Sequence, residues 1–298
     1  MALTLTHVLD DRLELRHDGQ ELYRYVYRPC SPTVQSPRPF FHPLRTLAGD
    51  DVTILRPHDH PWHHGLSLTS AQLSGQNFWG GPTFVRDEGY VQLDNNGGVE
   101  HVAWEGMAPE RLTERLRWVS QAGEVWIHER REIALAGVDP KAGDWALELG
   151  FELENVSHGP LEFGSPTTEG RPAAGYGGLF WRGPRSFRQG RILAGGGLEG
   201  PDVMGRRASW LAFTGRHDTT LATSTVVFVD DPGNPRHPTQ WFVRDDPYAC
   251  AAAAFTFDEP YVLEAGERLR QRYLVIVACG ELAGGRIEER TARYASPD

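Results

Sequence analysis

Cysteine is scarce in this chain of 298 residues: Cys30, Cys250 and Cys279 stand far apart and are odd in number. Without a CxxC pair they argue against a disulfide framework and against a thiolate zinc centre. Lysine is scarcer still. Lys141 is the only one and lies in the turn-like GVDPKAGD, so Schiff-base chemistry has little to work with and arginine carries almost all the positive charge. No run approaches the roughly 18 apolar residues of a membrane-spanning helix, and no membrane partner is expected. The opening MALTLTHVLDDRLELRHDG alternates and carries charge. It lacks the apolar core of a signal peptide, so a cytoplasmic location is expected. Basic runs are missing and the formal net charge is -10, so nucleic acid would be repelled. A P-loop, a GxSxG elbow and an HExxH motif are absent, and no cofactor is expected.

What is present is a period of two. In DWALELGFELENVS, Trp145, Leu147, Leu149, Phe151 and Leu153 share one face while Ala146, Glu148, Gly150, Glu152 and Glu154 occupy the other, as in a half-buried strand. ERLRWVSQAGEVWIHERREIAL reads as two strands about a Gln-Ala-Gly turn. TLATSTVVFVDDPGN reads as a β-branched strand stopped by Asp-Pro-Gly-Asn. ELYRYVYRP, RASWLAFTG and RLRQRYLVIVACG add more strands, and helical periodicity is confined to ELAGGRIEERTARYA. The 33 glycines and 21 prolines fall mostly between strands, and no linker divides the chain. The expectation is an all-β fold, one large antiparallel β-sandwich over residues 1–298 with few helices and a short C-terminal one. Such sandwiches bind ligands on a concave sheet face or in the loops at one end.

RPHDHPWHHGL, residues 56–66, holds four of the twelve histidines. In extended backbone His58 and His60 would share a face, with Asp59 opposite, and Pro61 would stiffen the run before a strand resumes at LSLTS. Three readings are open. Imidazoles beside a carboxylate suit a metal, although HxHxxHH matches no defined spacing. Histidine also suits acid–base work near neutral pH. A structural loop, with Trp62 plugging the core, is the third. Other segments supply comparable material: His42 and Arg45 in RPFFHPLRTLAGDD, and Trp79 in SGQNFWGG. The Gly/Pro-rich stretch 164–186 carries Glu169, Arg171, Tyr176, Trp181 and Arg182. DDPGNPRHPTQWFVRDDPY carries Asn234, Arg236, His237, Trp241 and Arg244. Long polar loops in compact domains are commonly functional, and Trp, Arg, His and Asn together suit a polyol-binding cleft.

PFFHPLRTLAGDDVT, DHPWHHGL, GQNFWGG, YGGLFWRGP, GRRASWLAFTG, DDPGNPRHPTQWFVR and LEAGERLRQRYLVIV together resemble a soluble bacterial family labelled methane oxygenase PmoA. The resemblance runs from about residue 20 to 280, and DHPWHHGL and NPRHPTQWFVR are its most specific parts. Many relatives carry arginine at His64, which centres the expected role on Asp59, His60 and His63. The resemblance implies a β-sandwich similar to galactose mutarotases, sugar binding on a concave sheet face, and acid–base chemistry by His with Glu or Asp. The leading expectation is therefore a carbohydrate-active enzyme of the mutarotase, epimerase or lyase type. His60 or His63 would protonate an oxygen of a small-molecule carbohydrate or sugar acid, and Glu169 would act as base. His42, Arg45, Asp59, His64, Arg171, Arg182, Asn234, Arg236 and Arg244 would hold hydroxyls or a carboxylate, and Trp79, Trp181 or Trp241 would stack on the ring. Two alternatives stand beside it: a sugar-binding module without chemistry, and a metal-dependent hydrolase or oxygenase using His58, His60 and His63 or His64. Self-association into a homo-oligomer is compatible with the sequence.

Overall fold

Alternation decides the architecture. The computed structural model describes residues 2–295; Met1 and residues 296–298, which the single-domain expectation also covers, lie outside them. Two large sheets, antiparallel throughout, hold most of the strands. The first has eight strands in the spatial order Leu3–Val8, Arg12–His17, Gln20–Val26, Phe40–Leu44, Leu66–Thr69, Gly178–Arg182, Cys250–Ala253, Trp241–Arg244. The second has nine, with Arg268–Cys279 and Asp144–Asn155 paired at its centre. The fold is an all-β sandwich, as the period of two implies. Trp145, Leu147, Leu149, Phe151 and Leu153 are all buried, and the helix near the C-terminus spans Gly284–Tyr294.

The inner faces of the two sheets share one apolar cluster that includes Leu13, Tyr23, Trp181 and Trp241 from the first and Trp145, Phe213, Phe228 and Val275 from the second. Rings meet across the gap: Trp181 lies 5.2 Å from Phe213 and 5.7 Å from Phe228, centroid to centroid. Each such side chain contributes about 1.5–3 kcal/mol by leaving water, so this seam fixes the relative position of the sheets.

One end of the eight-stranded sheet is buried on its outer face too. Side chains alternate along a strand, so Leu179 and Trp181 face the core while Phe180 and Arg182 face outward; Trp241 and Val243 face in while Phe242 and Arg244 face out. The register sets Arg182 opposite Cys250 and Cys250 opposite Arg244, one strand further. Phe180, Ala252 and Phe242 form the adjacent row. The small side chains of Cys250 and Ala252 leave a trough between these bulky flanks. Strands are about 4.8 Å apart, so the trough is about 10 Å from one arginine-bearing strand to the other. Segments 57–65, 79–82 and 164–177 and the hairpin Thr83–Val85/Gly89–Val91 roof it over.

Candidate functional site

Extended backbone through the histidine-rich segment would put His58 and His60 on one face; the structure corrects this. The segment makes two successive turns, with His60 N–H donating to Pro57 O at 3.0 Å and His63 N–H to His60 O at 3.0 Å. Pro61 takes the second position of the latter turn, where its fixed φ is favoured. Arg56 N–H donates to His63 O at 2.9 Å and closes the neck of the loop. This turn, rather than strand periodicity, lays the His60 ring on the His63 ring, with centroids 4.6 Å apart and planes 17° apart. His58 stays exposed, its Nδ1 accepting from Arg185 Nη2 at 2.9 Å.

The two stacked imidazoles form one wall of a cavity of about 380 Å³, within the roughly 300–1,000 Å³ range of small-molecule sites. Trp62, Trp79, Tyr176, Phe180, Phe242 and Tyr248 supply most of its aromatic surface. Trp62 lies flat on the backbone of Gly81: a Cβ there would fall 2.7 Å from the indole, and Gly81 has a φ of +69°, a region glycine enters without strain. The buried guanidinium of Arg38 ties the roof together, donating to the carbonyls of Gln35, Ser36, Trp62 and Trp79.

Behind the imidazoles a charge network fixes their tautomers. Arg182, wholly buried, donates from Nη2 to Asp59 Oδ2 at 2.8 Å and from Nη1 to His63 Nδ1 at 2.8 Å. Its guanidinium carbon sits 3.8 Å from the centroid of the Tyr248 ring. Arg185 Nη2 donates to the other oxygen of Asp59 at 2.8 Å. Partial burial raises the Asp59 carboxyl, but the hydrogen bonds from Arg182 and His60 outweigh it and hold the group well below the usual carboxylate range. An ionised carboxylate only accepts, so His60, at 2.8 Å, carries its proton on Nδ1 and keeps a lone pair on Nε2. Arginine only donates, so His63 accepts at Nδ1 and carries its proton on Nε2. Burial, with His60 and Arg182 nearby, pushes His63 well below an ordinary imidazole. Burial lowers His60 too, against the pull of Asp59. Both rings are therefore neutral near pH 7 and of opposite polarity: one accepts and one donates. Tyr248 Oη stands 3.5 Å from His60 Nε2, too far for a strong bond. Burial pushes the Cys250 thiol on the cavity floor up to about 12, which leaves it no thiolate nucleophile.

Of the residues singled out from the sequence, His60, Trp62, His63, Trp79, Arg171, Tyr176 and Arg244 line this cavity, so Trp62 is part of the cavity wall and not a core plug, with Asp59 and Arg182 directly behind. The others are elsewhere. Trp181 and Trp241 are core residues, their Nε1–H groups donating to Val52 O and Ala208 O at 2.8 Å. His64 is buried beside Phe40. His42 bonds Thr53 Oγ1 at 2.9 Å, and Arg45 pairs with Glu21 and Asp51. Asn234 Nδ2 donates to Asp230 and to Arg272 O, and Arg236 donates to the carbonyls of Phe255, Glu259 and Pro260. Glu169 is half-buried in its loop and does not line the cavity. Among the described residues no carboxylate lines it, so a base there is an imidazole. Sequence reasoning missed Tyr90, Phe180, Phe242 and Tyr248. Alternation offered a signal for two of them, since Phe180 shares a face with Arg182 and Phe242 with Arg244.

Among the described residues no group of three or more His, Cys, Asp or Glu side chains is gathered to hold a metal. The reason is geometric. The Nδ1 lone pairs of His58 and His63 are taken by arginines, and His64 lies against Phe40. No described helix is long and apolar enough to cross a membrane.

Residues 12–292 match a sequence profile described as a family of unknown function, DUF6807. No curated protein matches the sequence. Among solved structures, the galactose mutarotase related enzyme from Lactobacillus acidophilus is similar at a TM-score of 0.38 with 7% identity, over 95% of this chain and 99% of that one. The GalM/aldose epimerase homologue from C. elegans is similar at 0.36 with 9% identity, over 94% and 99%. The GH36 alpha-galactosidase AgaA from Geobacillus stearothermophilus reaches 0.38 with 10% identity, over 94% of this chain and 41% of that one. Likenesses at this level assign neither family nor function.

Proposed function

The chain belongs to the DUF6807 family, and from that premise we propose that it is a carbohydrate-active enzyme that moves a proton at a carbon next to a carbonyl of a sugar. The observation that carries this reading is the stacked pair of neutral imidazoles with opposite polarity inside an aromatic cavity. His60 Nε2 takes a proton from the substrate carbon. Asp59, bonded to Nδ1–H, holds the ring in the correct tautomer and stabilises the imidazolium that forms. The electron pair left on carbon moves onto the carbonyl oxygen, and the Nε2–H of His63 donates a hydrogen bond to the oxyanion as it develops. The proton on the His60 imidazolium then goes to a departing β-hydroxyl, which leaves as water in a syn elimination, or returns to the carbon after the enediolate has turned its other face to His60, which gives epimerisation. A neutral imidazole N–H donates a hydrogen bond and does not release a proton, which favours these over a reaction needing a second full acid. Trp62, Trp79 and Phe242 offer apolar faces to a ring, and the polar edges of the cavity suit hydroxyls.

Incubation with ketohexoses and keto-gluconates in D2O tests this, with NMR following the exchange of the carbon-bound proton next to the ketone. Exchange is expected with at least one, slowed ~100-fold or more in His60→Gln at unchanged melting temperature. A sugar that binds and is recovered without deuterium would make the protein a binding module. Unchanged exchange in His60→Gln would remove the base from its role.

A further inference from the structure

Two arginines, Arg171 and Arg244, line the cavity, and no salt bridge joins either to a carboxylate among the described residues. Arginines elsewhere in the chain are commonly paired: Arg182 with Asp59, Arg131 with Glu129, Arg45 with Glu21 and Asp51. Arg171 donates to the Tyr90 hydroxyl and lies over the Tyr90 ring at 4.8 Å. Arg244 lies 5.4 Å from the Phe242 ring, and its Nε–H is buried with no partner among the described residues. Cation–π contacts leave the in-plane donor fork of a guanidinium free, and that fork matches carboxylate and phosphate oxygens. A partly buried cation without a counter-charge costs free energy that an anionic ligand group would recover. The sheet register gives the arrangement a simple origin: Arg182 and Arg244 flank Cys250 in one row, yet Asp59 neutralises only Arg182. A chain with a formal net charge of -10 thus carries a small cavity whose charged lining is entirely positive. On such a protein that asymmetry selects the ligand.

We infer that the ligand carries an anionic substituent, a carboxylate or a phosphate, gripped by Arg244 and Arg171 while its ring lies against His60 and His63. The inference rests on the reading of this cavity as a sugar site, and it adds that the sugar is an acid or a phosphate ester.

Calorimetric titration with matched pairs tests it. The probes are glucuronate and galacturonate against glucose and galactose, the 6-phosphates of the same two hexoses, and acetate, benzoate and inorganic phosphate as anions without a sugar ring. At least one charged sugar is expected to bind ~10-fold or more tighter than its neutral parent. The preference for uronate or for phosphate identifies which anion is held. Arg244→Gln should abolish the charged-to-neutral ratio and Arg244→Lys should keep part of it, each at a melting temperature near that of the unaltered protein. Arg171→Gln should lower the ratio as well. Equal binding of neutral parents, a ratio that survives Arg244→Gln, or no saturable binding of any anion up to ~10 mM would overturn the inference. The two readings fail separately. Neutral sugars binding without charge preference would leave the sugar site standing and remove the anion. Benzoate or acetate binding where sugar acids do not would keep the anion grip and remove the sugar.

Discussion

Two segments of this chain look alike in sequence and do different work in the structure. PHDHPWHH and DDPGNPRHPTQ both crowd histidine, arginine or aspartate, and proline between strands. In the second, polar atoms face inward on the chain's own backbone. Arg236 caps three carbonyls, Asn234 bridges Asp230 and Arg272 O, and His237 Nδ1 bonds Asp230 at 2.8 Å. In the first, the side chains bond mainly to one another through Arg182 and Asp59, and two ring edges remain at a cavity. The difference teaches that composition finds polar loops, but the partners of their donors decide whether a loop is mortar or a site.

The comparison can be broken most forcefully at Arg182. Arg182→Met removes the buried cation that joins Asp59 to His63 and should cost about 3–5 kcal/mol in urea unfolding, together with all ligand binding. A loss well under 1 kcal/mol would mean that the first loop does not depend on this network. Arg236→Met is the counterpart in the second loop. It should cost about 1–3 kcal/mol by leaving carbonyls unpartnered, yet leave binding at the cavity unchanged; altered binding would join the two loops functionally.

Acid sharpens the contrast because the loops respond with opposite signs. Burial lowers His63 and His64, and pulls neighbouring His42 down to about 4. An unfolded histidine titrates near 6.5. Below that pH the unfolded chain takes up protons that these rings refuse, so stability falls as pH drops from 6.5 through their folded values. His42 alone is worth about 2 kcal/mol between about pH 7.5 and about pH 5. Asp230 in the second loop runs the other way: burial raises it above its unfolded value, so it adds stability as pH falls through its folded value. Urea midpoints across this range should decline for the unaltered chain and decline less for His64→Gln. An unchanged slope in His64→Gln would show that His64 is not held neutral.

Much of the fold was legible because a strand's period is two residues long and needs no distant partner. Trp145 to Leu153 announced their strand, and Gln-Ala-Gly its turn. The site was legible only in part. Its histidines were visible, but their juxtaposition comes from a turn at Pro61 and not from strand periodicity. Trp181 and Trp241 looked like stacking platforms because FWR and WFVR were read as loop. As strands, the same letters send each tryptophan to the core and its arginine neighbour, Arg182 or Arg244, to the outer face. Tyr248 meets His60 across 188 positions of chain, and no local pattern encodes that contact.

The central claim is that His60 and His63, though stacked, hold their protons on opposite nitrogens. Long-range proton–nitrogen-15 correlation spectra of the histidine side chains near neutral pH measure this directly, with His60→Gln and His63→Gln assigning the signals. Two neutral rings are expected, His60 protonated on Nδ1 and His63 on Nε2. Matching tautomers, or an imidazolium at either position, would contradict the account.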